Sequence, residues 1–292
     1  MKPRVTNFSV MGTPGLWFHF TALTFCAYVL VFAAFSHSAH AEPRPLWELG
    51  AGGAVVSFPD YRGSNKQRSY VLPVPYVVYR GDVFQVDRDK VRGLLFKTER
   101  VELDVSVNGS VPIRSGDNPA RQGMPDLDPT LELGPSLKVL LVQEPRYNLA
   151  LKLPVRAVIA SDFRSMHSAG YLAHPQFNLD VRAGQDWKLG FLAGPLFGDR
   201  RYHDYFYGVA PQYVSPGRAA YTAHGGYSGV QFVAAASKRF DKVWVGAFIK
   251  FDNIGRSAIE GSPLVERRNN VGAGLGVSWI FAQSKRLVEA RE

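Results

Sequence analysis

The chain reads as an all-β protein, a transmembrane antiparallel β-barrel of about twelve strands preceded by a cleavable signal peptide. Three observations predict this. Long segments alternate apolar and polar side chains, short turns alternate with long loops, and an apolar leader ends in a small-x-small motif.

The alternation is plainest in Asn270 to Phe281. Leu275, Val277, Trp279 and Phe281 fall on one face, and Gly274, Gly276 and Ser278 on the other. Successive strand side chains point to opposite sides, so the segment has an apolar face for lipid and a small, partly polar face for a lumen. Phe281 is the closing aromatic at an interface. The same alternation recurs upstream. Val101, Leu103, Val105 and Val107 interleave with Glu102, Asp104, Ser106 and Asn108. Leu149, Leu151, Leu153 and Val155 interleave with Asn148, Lys152 and Arg156. Phe177, Leu179 and Val181 interleave with Asn178, Asp180 and Arg182. A soluble sandwich also alternates, so periodicity alone leaves both architectures open.

Length and connections favour the barrel. Strands are expected near 46–57, 69–79, 82–88, 91–97, 100–111, 130–142, 146–160, 169–183, 186–198, 219–239, 242–254 and 270–281. Many exceed the usual soluble strand and match a tilted membrane strand. Arg80-Gly81, Thr98-Glu99, Gly184-Gln185 and Phe240-Asp241 read as tight turns. Pro59 to Arg68, Pro112 to Pro129, Ser161 to Ser168, Asp199 to Arg218 and Gly255 to Asn269 read as long loops, and only the link near Asp87 to Lys90 breaks the alternation. Short turns on one side and long loops on the other belong to bacterial barrels. Tyr202 to Tyr207, dense in aromatics, is expected to form a short helix or a cap over the barrel mouth.

The leader sets the compartment. Lys2 and Arg4 precede an apolar run from Leu16 to Phe35, and Ala39-His40-Ala41 predicts cleavage after Ala41. Three segments follow: a secretory leader at 1–41, a barrel at 42–281 and a charged periplasmic tail at 282–292. The only cysteine, Cys26, leaves with the leader, which removes disulfides, thiol nucleophiles and thiolate metal sites from the mature chain. Loss of Lys2 and Arg4 lowers the net charge from +9 to +7. That balance suits anionic surroundings such as lipopolysaccharide and outer-membrane lipid. Nucleic acid is not an expected partner, because the basic residues are dispersed and the leader exports the chain.

Chemical motifs are weak. Gly272-Ala273-Gly274-Leu275-Gly276 sits within a strand, not between strand and helix, so no nucleotide loop is expected. His167 with Ser165 and Ser168, and His203 with Asp199 and Asp204, could each set a general base beside a polar partner. Neither group has the spacing of a nucleophile elbow, and polar loops carry such residues routinely. The histidines lack a paired ligand spacing. The expectation is therefore no catalytic site, no metal and no cofactor.

Several stretches in order resemble the MltA-interacting protein (MipA/OmpV) family of outer-membrane proteins. Phe58, Pro59, Asp60, Tyr61, Gly63 and Ser64 are similar to its first loop. Tyr79, Arg80 and Gly81 are similar to its second strand and turn. Tyr207, Gly208 and Val209, then Ser262, Pro263, Leu264 and Val265, resemble its later signatures. The resemblance implies a non-enzymatic, monomeric scaffold that holds a lytic transglycosylase near a murein synthase, with pore and adhesin roles as alternatives. A scaffold would use the turns and tail, a pore the inner charges Glu102, Asp104, Lys138, Lys152, Arg156, Asp180, Arg182, Lys188 and Asp252, and an adhesin the outer loops. The tail after Phe281 and the aromatic pattern of Asp199 to Val214 depart from the family.

Overall fold

A computed structural model of the chain describes residues 43–80, 84–87, 90–162, 164–184 and 186–289. The expected leader, its cleavage site and Gly81 lie outside the described residues. The strands are β1 (Pro43–Pro45), β2 (Trp47–Pro59), β3 (Gln67–Arg80), β4 (Phe84–Asp87), β5 (Lys90–Lys97), β6 (Val101–Ser110) and β7 (Thr130–Gln143). Then come β8 (Tyr147–Ser161), β9 (Met166–Ala173), β10 (Gln176–Ala183), β11 (Trp187–Gly198) and helix α1 (Arg200–Tyr207). The last are β12 (Gly226–Phe240), β13 (Val243–Asn253), β14 (Asn269–Gln283) and β15 (Leu287–Glu289).

Strands β2 to β14 make one antiparallel sheet of thirteen strands. Sequence neighbours pair, and β14 pairs back onto β2 from Ala273↔Ser57 to Gln283↔Glu48. β9 and β10 occupy one position. β8 pairs with β9 from Val155↔Ala173 to Ser161↔Met166, and with β10 from Lys152↔Gln176 to Tyr147↔Val181. β11 pairs along both in turn. The break falls at His174-Pro175, where proline has no amide to donate. Among the described residues, counting the broken pair once leaves twelve strand positions in this sheet.

The two faces are the reverse of a soluble sandwich. Leu131, Leu133, Leu137, Val155, Phe177, Phe191, Phe232, Ile249, Val271 and Val277 are exposed, and Leu275 keeps 55% of its surface. Glu102, Asp104, Glu132, Lys152, Arg156, Asn178, Asp252 and Asn270, on the alternate positions, are buried. An apolar surface this extensive is unfavourable in water and fits a lipid solvent. Aromatics gather near both of its ends. Tyr171, Phe197 and Tyr227 lie near the long loops, and Tyr147, Trp187, Phe240, Trp279 and Phe281 near the short turns. No helix among the described residues is long and apolar enough to cross a membrane.

The last strand runs two residues beyond Phe281, through Ala282 and Gln283. Leu287–Glu289 then pairs with Pro43–Pro45 in a two-stranded ribbon. The Leu46 amide donates to Arg286 O at 2.9 Å, and the Ser284 amide to Trp47 O at 2.9 Å. The segment expected as a plain charged tail is therefore hydrogen-bonded beside the first strand.

Candidate functional site

The long loops at one end of the sheet fold into a common cap. Its apolar centre holds Tyr61, Ile113, Leu127, Phe206, Tyr207, Val209, Ile254, Ile259 and Leu264, packed on Val158, Ala160, Leu172 and Leu196 of the sheet. Val158 and Ala160 lie on the buried positions of β8, so the cap fills the polar side of the sheet at this end. Burying these side chains supplies the driving force, and polar anchors set the geometry.

The first loop turns at Tyr61–Ser64. The Ser64 amide donates to Tyr61 O at 3.0 Å, with Gly63 at φ +94. A side chain at Gly63 would also meet Ile254 Cδ1 at 2.7 Å, so glycine is required twice. The turn docks through Asn270, whose Oδ1 accepts from the Gly63 amide at 2.5 Å and whose Nδ2 donates to Ser64 O at 2.8 Å. The amides of Glu266 and Arg267 donate to Gly63 O at 2.8 and 3.0 Å. Asp60, at the loop's start, accepts from Arg68 Nε at 2.6 Å and from Asn118 Nδ2 at 2.8 Å.

Helix α1 is the second anchor. Asp199 caps it by accepting from the Tyr202 amide at 2.8 Å, and Gly208 ends it with its amide on Asp204 O at 2.9 Å. Tyr207 donates to Arg62 O at 2.9 Å, Ser262 Oγ donates to Tyr207 O at 2.7 Å, and Tyr61 donates to Leu264 O at 2.9 Å. Arg121, buried, donates to Phe206 O at 3.1 Å. Burial pushes the Tyr61, Tyr202 and Tyr207 phenols well above their ordinary range, and Tyr205 up to about 12.

His203 lies beneath the helix. Its Nδ1 donates to His224 O at 2.5 Å, which leaves Nε2 to accept from the Ser228 hydroxyl. Desolvation lowers its pKa and keeps the ring neutral. The serine–histidine pairing resembles a hydrolase dyad, but both side chains are 0% exposed. A nucleophile needs a reachable position for its substrate, so this pair serves as an anchor. Gly198 makes room for it, since a Cβ there would lie 2.5 Å from His203 Nε2.

Below the cap the polar face carries ion pairs. Asp252 accepts from Arg62 Nε and Gln231 Nε2, both at 3.0 Å, and lies 3.3 Å from Lys250 Nζ. Arg156 Nη1 donates to Glu132 Oε2 at 2.6 Å. Towards the short turns, fully buried Glu48 is 2.8 Å from Arg80 Nη2 and 2.5 Å from Arg239 Nη1. Asp180 and Arg182, on the same face at this end, are exposed. The polar face is thus covered by the cap at the long-loop end and exposes Asp180 and Arg182 at the short-turn end.

The motif residues divide between these ends. Asp60, Tyr61, Gly63 and Ser64, then Tyr207, Gly208 and Val209, then Ser262, Pro263, Leu264 and Val265, all meet in the cap. Phe58 stacks on Tyr70 at 5.3 Å where β2 runs into the first loop, and Pro59 ends β2. Tyr79 and Arg80 lie at the opposite end, and Phe281 packs edge-on against Trp279 at 6.0 Å. His167 tilts against Tyr205 at 5.8 Å, well apart from the His203–Ser228 pair in its partners. Sequence reading missed Asn118, Arg121, Arg218 and Asn270. Each binds a loop distant in sequence, and only Asn270, at the start of a strand on its polar face, carried a local signal.

The chain is similar to known outer-membrane proteins. A putative outer membrane protein from Escherichia coli K12, YiaT, is 25% identical over 240 residues, covering 80% of this chain and 90% of that one. An outer-membrane channel structure from Pseudomonas putida F1 is 12% identical with a TM-score of 0.46, covering 84% of this chain and 99% of that one. The family model described as MltA-interacting protein MipA matches residues 51–281, from the first long strand to the closing aromatic. The chain belongs to the MipA family.

Proposed function

We propose that this protein is an outer-membrane β-barrel that serves as an adaptor for murein remodelling, holding a lytic transglycosylase near a murein synthase. The membrane part is supported by the exposed apolar face, the buried charges on the alternate positions and the pairing of the last long strand back onto the first. The short-turn end is then periplasmic and the cap faces outward. The adaptor part rests on the family's description as MltA-interacting. The cap supports it, because a mouth filled by its own packed loops is a poor open channel. The surface left towards murein is the short-turn end, with the terminal ribbon and Arg80.

Affinity capture from cross-linked envelopes, with the tag in an outer loop, tests the reading. Recovery of a lytic transglycosylase together with a murein synthase is expected. Recovery of neither, from envelopes in which the barrel is folded and abundant, would sink the adaptor. A gated pore is the second reading, favoured by the exposed Asp180 and Arg182 on the polar face. Discrete conductance steps in a planar bilayer would support it. Catalysis has no support beyond the inaccessible His203–Ser228 pair.

A further inference from the structure

The lipid-facing side is not uniform. Across β10 to β14 its outward positions carry one charged side chain among the described residues, Lys238. Lys238 stands opposite Trp187 in the β11 ladder, near the short turns. Its Nζ lies 5.8 Å from the Trp187 ring centroid and 5.1 Å from that of Phe240. No carboxylate pairs with it among the described residues, so the ammonium is held by ring faces and left with its donors free. The neighbouring turn carries exposed Asp241 and Lys242.

On the same strands, towards mid-height, lies an apolar groove of about 330 Å³. Ala193 and Ala234 form its floor, and Phe177, Phe191, Phe232 and Ile249 form its walls. Small residues between large rings leave a furrow that a flat belt would lack. Ala234 and Lys238 are outward positions of one strand, four residues apart. At about 3.3 Å per residue that is about 13 Å, close to half of the roughly 30 Å hydrocarbon core.

We propose that this furrow and Lys238 form one binding site for an anionic phospholipid of the inner leaflet, with an acyl chain along Ala193 and Ala234 and the phosphate on Lys238. The proposal rests on the membrane-barrel reading above. Charge complementarity selects the occupant. A second copy of the chain would bring the same unpaired lysine against the first, whereas a phosphodiester supplies the missing anion beside a tail that fills the furrow. The indole of Trp187 and the ring of Phe240 set the headgroup depth.

Native mass spectrometry of the folded, detergent-solubilised chain tests this with palmitoyl-oleoyl phosphatidylglycerol and the matched phosphatidylcholine as probes. Wild type is expected to retain one phosphatidylglycerol in preference to phosphatidylcholine. Lys238→Gln should reduce that preference about fivefold, the worth of one lysine at an anionic surface. Ala234→Phe should lower retention of both lipids by filling the furrow, and Leu131→Phe, on the far side of the sheet, should change neither. Ala193→Phe serves if Ala234→Phe fails to fold. Equal retention of both lipids by wild type, or a preference untouched by Lys238→Gln, would overturn the site. The unboiled gel band reports the barrel separately. A wild-type chain that never gives a compact, heat-modifiable band would count against the membrane reading instead.

Discussion

The phenol of Tyr207 donates to the carbonyl of Arg62 at 2.9 Å, across 145 residues of sequence. With this bond the end of helix α1 holds the first loop, and Arg62 in turn reaches Asp252 on the polar face at 3.0 Å. Tyr207→Phe removes the donor and leaves a partly buried carbonyl without this bond. The expected cost is about 1 to 2 kcal/mol of cap stability. Hydrogen exchange in 60–66 and 200–208 should quicken while the sheet stays protected. Unchanged exchange would show that packing alone holds the cap.

Acid should loosen the same cap. His203 has a folded pKa below the ordinary 6.5, so its contribution is complete above 6.5 and is lost as pH falls towards the depressed value. Protection factors at 200–208, which correct each amide for its own pH-dependent exchange rate, are expected to be lower at pH 5 than at pH 7.5. His203→Asn, which removes this imidazole alone, should lose that pH dependence even if its cap is weaker at every pH.

Alkali acts through the tyrosines with the opposite sign. Folding raises the phenol pKa of Tyr61, Tyr202, Tyr205 and Tyr207 above the ordinary 10. Their contribution is whole below 10 and falls as pH climbs through the raised values, about 12 for Tyr205. Absorbance near 295 nm should show late-titrating phenols in the folded chain that join the early ones in denaturant. A single titration step near pH 10 in the folded chain would contradict the packing described.

Glu48 is the polar centre of the short-turn end, between Arg80 and Arg239. Glu48→Ala strands two guanidinium groups, whose side chains keep 11% and 23% exposure and so retain some water. The loss should be about 2 kcal/mol, below the full penalty for breaking a wholly buried pair. Denaturant-induced unfolding in detergent micelles measures it.

Leu275 separates a lipid-facing wall from a water-facing one. On a soluble surface Leu275→Arg would be nearly neutral. At mid-height in a bilayer it should cost about 2 to 4 kcal/mol, while Leu275→Phe should cost little. Similar stability of the arginine variant in vesicles and the parent would argue against the membrane assignment.

The sheet was legible because a strand writes its environment into every second residue. Glu102, Asp104, Lys152, Arg156 and Asp252 could be assigned to the polar face from alternation alone, and burial agrees. Strand ends were read to within a few residues for most elements, as at β8 and β11. The principal misreading was 219–225, where apolar side chains continue a strand-like run but Tyr221 is drawn to Val209 and Ala258 in the cap. The short helix at Tyr202 to Tyr207 was also visible as an aromatic cluster behind Asp199. The cap was not. Asn118 on Asp60, Arg121 on Phe206 and Asn270 on the first loop join residues up to 207 apart, and no local periodicity encodes such contacts. The terminal ribbon escaped for the same reason, since Leu287–Glu289 has meaning only beside Pro43–Pro45.

The pairing of β2 with β14 joins the most distant partners in the sheet, up to Glu48 against Gln283. Such a seam carries the largest loop-closure entropy of any ladder in the sheet, so it is expected to zip late in folding. Until β14 has been delivered, the backbone donors and acceptors of β2 on that side have no intramolecular partner. A chain halted before Asn269 would therefore expose a long templating edge, the kind of intermediate that strands add to and that periplasmic chaperones must shield.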